Sequence, residues 1–304
     1  MGRRLSLRAL RAAALAIASG AAYGHEVPGL APHHWWQAWS QEAWLWALWW
    51  LPGLLVIAGI ARLWRNAGIG AGMSRTQAAC FLAGWIALGL SILSPLDAVG
   101  EELFWVHMVQ HEVVLLVVAP LLVLSRPLGP LVWGLPAAWR PGAAGLARGL
   151  GLAWAMRVLT RPATAWWVHA LVLWAWHAPV LFQAALRRAW VHDLQHASFL
   201  IASLVFWWAL FQSHGGRQRQ GVAVFYLFTT LLHTSALGAL MTFSRQAWYP
   251  LYAQTAPAWG FSAVEDQQLG GLIMWVPGGM VFLAAALALF VAWLQGPAPR
   301  GATR

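Results

Sequence analysis

Apolar residues recur along the chain in runs of about twenty, separated by short polar or proline-rich stretches. A helix rising 1.5 Å per residue needs a run of that length to cross the roughly 30 Å hydrocarbon core of a bilayer. Seven runs fall at 43–64, 76–94, 103–124, 163–185, 192–212, 221–243 and 269–295. They predict an all-α membrane protein, a bundle of seven transmembrane helices over 43–295. Ahead of them, residues 1–24 (MGRRLSLRALRAAALAIASGAAYG) carry four arginines, a weakly apolar stretch and small residues at the end. This is the pattern of a cleavable signal peptide. Its removal would leave His25 heading an exported segment, 25–42, rich in His and Trp.

A cleaved signal puts the mature N-terminus outside. Alternation then assigns loops 65–75, 125–162 and 213–220 and the tail 296–304 to the cytoplasm. Charge supports this orientation. Twelve arginines (Arg62, Arg65, Arg75, Arg126, Arg140, Arg148, Arg157, Arg161, Arg217, Arg219, Arg300 and Arg304) fall on the inner side, against Arg187, Arg188 and Arg245 outside. The long loop 125–162 mixes proline, arginine and apolar residues, and predicts amphipathic segments on the inner membrane face.

Composition narrows the class further. The chain is 60% hydrophobic and 9% charged, whereas a soluble domain carries about a quarter charged residues. The net charge of +10 sets 19 basic residues, all arginine, against nine acidic ones. Because it sits in short loops, it sets orientation and contact with lipid headgroups, and it does not mark nucleic-acid binding. Cys80 is the single cysteine and falls within a span, so there is neither a disulfide framework nor a CxxC site. Trp35, Trp36, Trp39, Trp44, Trp46, Trp49 and Trp50 crowd the outer end of the first span, as an interfacial aromatic belt does.

Orientation turns scattered histidines into a pattern. His107 and His111 lie four residues apart in the outer half of the third span, about one helical turn on one face. His192 and His196 repeat that spacing at the head of the fifth. His177 and His233, on the fourth and sixth spans, fall at roughly 12–15 Å from the outer end by the same rise. A lone span histidine has a bland explanation, a hydrogen bond across a helix interface. Six at one level instead suggest a shared pocket, since intramembrane ionisable groups face a bundle interior or a water-filled cavity. Imidazole is the commonest metal ligand, and i,i+4 pairs present two nitrogens together. Asp266 and Met274 share a face of the seventh span and extend the candidate metal set. Accessory candidates are Met108, Glu112 and the N-terminal His25. Nitrogen ligands suit copper among other ions, and thioethers favour Cu(I). Two facing His pairs also allow a bis-histidine haem b, and a copper permease is a third possibility. Only His169 and Cys80 offer donors deeper in the bilayer.

The motifs SPLDAVGEELFWVHMVQHEVVLLVVAPLLVL, WAWHAPVLFQAAL with HDLQH, and EDQQLGGLIMWVPGGMVFL occur in this order. Together they resemble the seven-span CtaG family of cytochrome c oxidase assembly factors, over about 45–295. The resemblance implies a non-enzymatic role in the bacterial inner membrane, maturing a haem–copper oxidase by supplying copper to an oxidase subunit or another copper chaperone. Carried over by motif, the family positions fall on His107, His111, Trp176, His177, Pro179, His192, His196, Asp266, Gln267 and Gln268. His233 belongs to no motif, and Glu112 stands where an apolar residue is expected.

Overall fold

The computed structural model describes residue 30 and residues 32–212 and 217–295. The expected signal peptide, His25 and the tail 296–304 lie outside the described residues. Every regular element among the described residues is a helix. Besides 3-10 turns at Trp35–Gln37, Ala137–Trp139 and Ala256–Trp259, these are in chain order α1 (Ala43–Ala67), α2 (Arg75–Leu93), the short α3 (Pro95–Glu102), α4 (Phe104–Ser125) and the short α5 (Leu128–Gly134). There follow α6 (Arg140–Gly149), α7 (Leu152–Leu159), α8 (Pro162–His177), α9 (Pro179–Arg187), α10 (Ala189–Gln212), α11 (Arg217–Thr242), α12 (Tyr252–Thr255) and α13 (Ala263–Gln295).

Six of these, α1, α2, α4, α10, α11 and α13, are long and apolar enough to cross a membrane. The expected fourth span, 163–185, is broken. Helix α8 stops at His177, and α9 leaves it at 71°. The cause is local: Pro179 disfavours the helical conformation for the residue before it, and Ala178 is extended (φ −63°, ψ 129°). The last span begins at Ala263, six residues earlier than its apolar run. Ser262 and Glu265 form a reciprocal capping box there, each side chain bonding the other's backbone N–H.

Proline also shapes the interiors of α4 and α13. Each carries a π-helical turn, Val114–Val118 just before Pro120 and Met274–Gly278 around Pro277. Proline lacks the N–H that would continue the ladder, so carbonyls of the preceding turn are released. One is recovered across the bundle, where Trp207 Nε1 donates to the Leu115 carbonyl at 2.8 Å. Neighbouring side chains must supply such partners because the bilayer core has no water to do so.

The long loop holds α5, α6 and α7. Leu146, Leu150, Leu152 and Trp154 are exposed there, as expected of segments lying in a membrane interface. Helix α5 instead docks on α1 at backbone contact. A Cβ on Gly59 would lie 1.8 Å from the Pro130 carbonyl oxygen, and one on Gly134 would lie 1.9 Å from that of Leu55. Arg62 Nη1 donates to the carbonyls of Trp133, Gly134 and Leu135 at 2.7–3.0 Å. Arg140 donates as well, to the carbonyls of Leu135 and Trp133 at 3.2 and 3.0 Å, so two arginines together satisfy the carbonyl end of α5. Helices α11 and α13 also approach through glycine, Gly238 against Gly271, as small residues permit in membranes.

Candidate metal centre

The two i,i+4 pairs face each other across the α4–α10 interface. His192 Nε2 and His196 Nε2 lie 3.1 Å apart. One ligand atom from each of His107, His192 and His196 falls within 4.8 Å of the other two. His111 adjoins this trio, its ring centre 4.2 Å from that of His107 and 5.0 Å from that of His196. His177, the last residue of α8, stands 6.5 Å from His111. Three helices thus bring five imidazoles together, all five among those expected from the sequence.

Their hydrogen bonding is incomplete. Both nitrogens of His111 and Nε2 of His177 are buried without a partner, and those of His107 make no well-aligned hydrogen bond although the Gly100 backbone and the Gln195 side chain lie beside them. Buried polar atoms are nearly always paired, and each exception calls for a reason. A metal ion gives one. His177 Nδ1 is 2.7 Å from the Leu173 carbonyl; with the proton on Nδ1, Nε2 is left as a lone-pair donor, the usual outer-shell arrangement of a ligating histidine. His192 Nε2 and His196 Nε2 hydrogen-bond each other at 3.1 Å, a spacing also close to the roughly 3.3 Å between two ligands at about 2.0 Å on a tetrahedral ion. The donor set therefore fits a nitrogen-preferring transition metal.

Aromatic rings close the pocket at its α3/α9 end. Phe182 lies 5.1 Å from His107 and stacks on Tyr249 at 4.2 Å, while Phe104 stacks on Tyr249 at 5.0 Å. Tyr249 Oη donates to the His177 carbonyl at 2.8 Å, and Tyr252 Oη to that of Gly100 at 2.9 Å. Burial pushes both phenols above their ordinary range, so they remain protonated donors. The open side is lateral. His192 and His196 line a cavity of about 720 Å³, walled also by Trp49, Trp85, Leu200 and Trp208, between α1, α2 and α10.

The remaining expected ligands lie elsewhere. Asp266 is fully buried, and its oxygens accept from the amides of Phe104 (2.8 Å) and Trp105 (3.0 Å). It caps the first turn of α4, whose own N-cap residue, Leu103, has no side-chain acceptor. Its neighbours are staples too. Gln267 bonds Trp248 N, Gln246 O and Met241 O, and Gln268 bonds Ser244 O. Met108 and Met274 pack in the apolar cluster with Phe104, Leu115 and Leu237. The carboxylate of Glu112 packs on Gly278 in the π turn of α13. His233, grouped with the others by depth, sits 6.1 Å from His169 on α8 instead. Depth along a span does not fix direction around it.

Several residues of the site carried no metal-ligand signal in the sequence. Gln110 Nε2 donates to Asp97 Oδ1 and to the Ser91 carbonyl, each at 2.6 Å, tying α3 and α2 to the helix that bears His107. Gly100 admits the His107 backbone, since its Cβ would come within 3.3 Å of His107 Cα. Gln195, between the α10 histidines, is fully buried with both amide atoms unpartnered. The Ser-Pro-x-Asp start of α3, with Ser94 capping Leu96 N, was the legible sign that this stretch is structured.

Fold and site together define a multi-span helical membrane protein with a buried five-histidine centre. Residues 54–296 match the family model of the cytochrome c oxidase caa3 assembly factor, Caa3_CtaG, and the chain belongs to that family. It is also 27% identical over 221 residues to uncharacterized proteins Mb0105 of Mycobacterium bovis and MT0111 of Mycobacterium tuberculosis, covering 71% of this chain and 33% of each relative. It is 26% identical over 249 residues to uncharacterized protein ML1998 of Mycobacterium leprae, covering 80% of this chain and 37% of that protein. The chain thus spans about a third of the length of these relatives. No solved structure matches it.

Proposed function

We propose that this chain is a non-catalytic assembly factor that binds copper at His107, His192 and His196, with His111 and His177 alongside. It passes the ion sideways to a cytochrome c oxidase subunit or a copper chaperone in the bacterial inner membrane. One observation carries this reading: three imidazoles offer ligand atoms within 4.8 Å of one another, and beside them both nitrogens of His111 and Nε2 of His177 are buried without a hydrogen-bond partner. The family supplies the client, and the cavity reaching His192 and His196 supplies a lateral route. Ring centres only 4.2 and 4.4 Å apart within the two pairs suit a single ion better than a macrocycle. Copper is cargo here. Imidazole holds it, and exchange against ligands of the recipient releases it.

The test is elemental analysis and a visible spectrum of the purified protein, with and without the paired changes His107→Ala and His196→Ala. A fall of one equivalent in bound copper, no Soret band and lower oxidase activity in cells are expected. Unchanged copper in the double variant overturns the proposal.

A further inference from the structure

His169 and His233 make a second histidine pair that the first centre does not use. His169 lies eight residues before His177 on α8, about 12 Å along the helix axis. It is buried with Nδ1 unpartnered, and His233 Nε2 is likewise buried and unpartnered. Their ring centres are 6.1 Å apart. An ion held between two imidazoles at about 2.0 Å from each nitrogen sets ring centres roughly 6 Å apart. No third His, Cys, Asp or Glu completes a ligand group with them among the described residues. Two nitrogens alone do not meet the four-coordinate demand of structural zinc, whereas Cu(I) accepts two ligands in line.

The pair is also connected to the first centre. Phe199 and Phe206, seven residues apart on α10, pack against His177 and His169 at 6.1 and 4.6 Å. Ser203 lies between them, its hydroxyl buried with no partner. Unpaired polar atoms therefore mark the α8–α10 interface from His177 through Ser203 to His169. One contact opposes occupancy: Trp174 Nε1 donates to His233 Nδ1 at 3.4 Å, which would leave the proton on Nε2. That contact is long against the usual 2.9–3.0 Å, and Trp174 is 40% exposed, so an ion can displace it.

We propose that His169 and His233 form a second, two-coordinate Cu(I) site, deeper in the bundle than the five-histidine centre. This rests on the proposed function for the identity of the ion but not for the geometry of the pair. The test is anaerobic titration of the full-length protein with Cu(I) against a chromogenic chelator, with thermal melts confirming that each variant is folded. His169→Gln and His233→Gln should each lose one equivalent and keep the ion of the first centre. The His107→Ala, His196→Ala variant should retain one equivalent, with X-ray absorption showing two nitrogen neighbours. Trp174→Phe should bind that equivalent more tightly, by removing the competing donor. Full wild-type stoichiometry in both glutamine variants overturns the second site alone, provided the alanine variant still loses copper. If neither set changes the count, both proposals fall.

Discussion

Asp266 on α13 holds the backbone amide of Phe104 at 2.8 Å and that of Trp105 at 3.0 Å, capping α4 from a distance of 161–162 residues along the chain. The first turn of α4 leads directly to His107, so Asp266 anchors the centre without donating to it. Asp266→Ala should leave two amides unpaired at a cost of about 1–3 kcal/mol each. The thermal midpoint should fall, while copper per folded molecule is unchanged. A melt paired with elemental analysis separates this from a ligand role, in which copper would be lost at constant stability.

The five histidines should rank by geometry. His107, His192 and His196 converge on one point, and replacing any of them by alanine should lower Cu(I) affinity by more than the roughly 10–100-fold typical of outer-shell changes. His177, 6.5 Å from His111, should cost no more than about that range. Competition titrations of the single variants measure the order. Equal losses at His177 and His192 would contradict it.

Most of this was legible in the sequence where periodicity and spacing carry it. Apolar run length gave the spans, and i,i+4 spacing paired His107 with His111 and His192 with His196. Depth alone could not assign His233, because a span residue at the right level can face any direction. His169, placed deeper by the same measure, lies beside it. Asp266 entered the ligand set because it shares a face of the last span with Met274, and the sequence does not show that its oxygens are taken by the first amides of α4. The break at Pro179 was encoded, but an apolar run crossing it hid the bend. Gln110 and Gly100 act through contacts between helices, which no local pattern reveals.

Tyr249 and Tyr252 bind stability to pH. Burial raises both phenols above the ordinary value near 10, so the native state holds their protons more tightly than the unfolded chain does. Their contribution is complete below about pH 10 and is lost as pH rises through the folded values. Melts at pH 8–11.5 should be flat and then decline, and Tyr249→Phe with Tyr252→Phe should flatten the decline. An unchanged alkaline slope in that variant would count against the effect.

Gly59 and Gly134 set the docking of α5 on α1. A methyl group at either would meet a backbone carbonyl at under 2 Å, and no side-chain rotation relieves that clash. Gly59→Ala should therefore undock α5 or shift it, costing about 1–3 kcal/mol as overpacking does. Limited proteolysis at Arg148, the arginine of α6 not followed by proline, should accelerate, with copper content maintained. Resistance equal to wild type would show that α5 tolerates displacement.

The bond from Trp207 Nε1 to the Leu115 carbonyl exists because Pro120 lies beyond the π turn and cannot complete the helical ladder. The two features should therefore be energetically coupled. Trp207→Phe keeps most of the ring volume and removes the donor, so in the wild type it should cost on the order of 0.6–1.7 kcal/mol, the range for hydrogen bonds between membrane helices. In a Pro120→Ala background the restored N–H lets α4 recover intrahelical bonding, and the carbonyl no longer depends on the indole. The same change should then cost less, and the difference between the two costs is the coupling energy. Thermal or denaturant unfolding of the four proteins closes this cycle. Equal costs in both backgrounds would mean that Trp207 serves packing alone, against Phe206 and Phe282, and that the π turn does not depend on it.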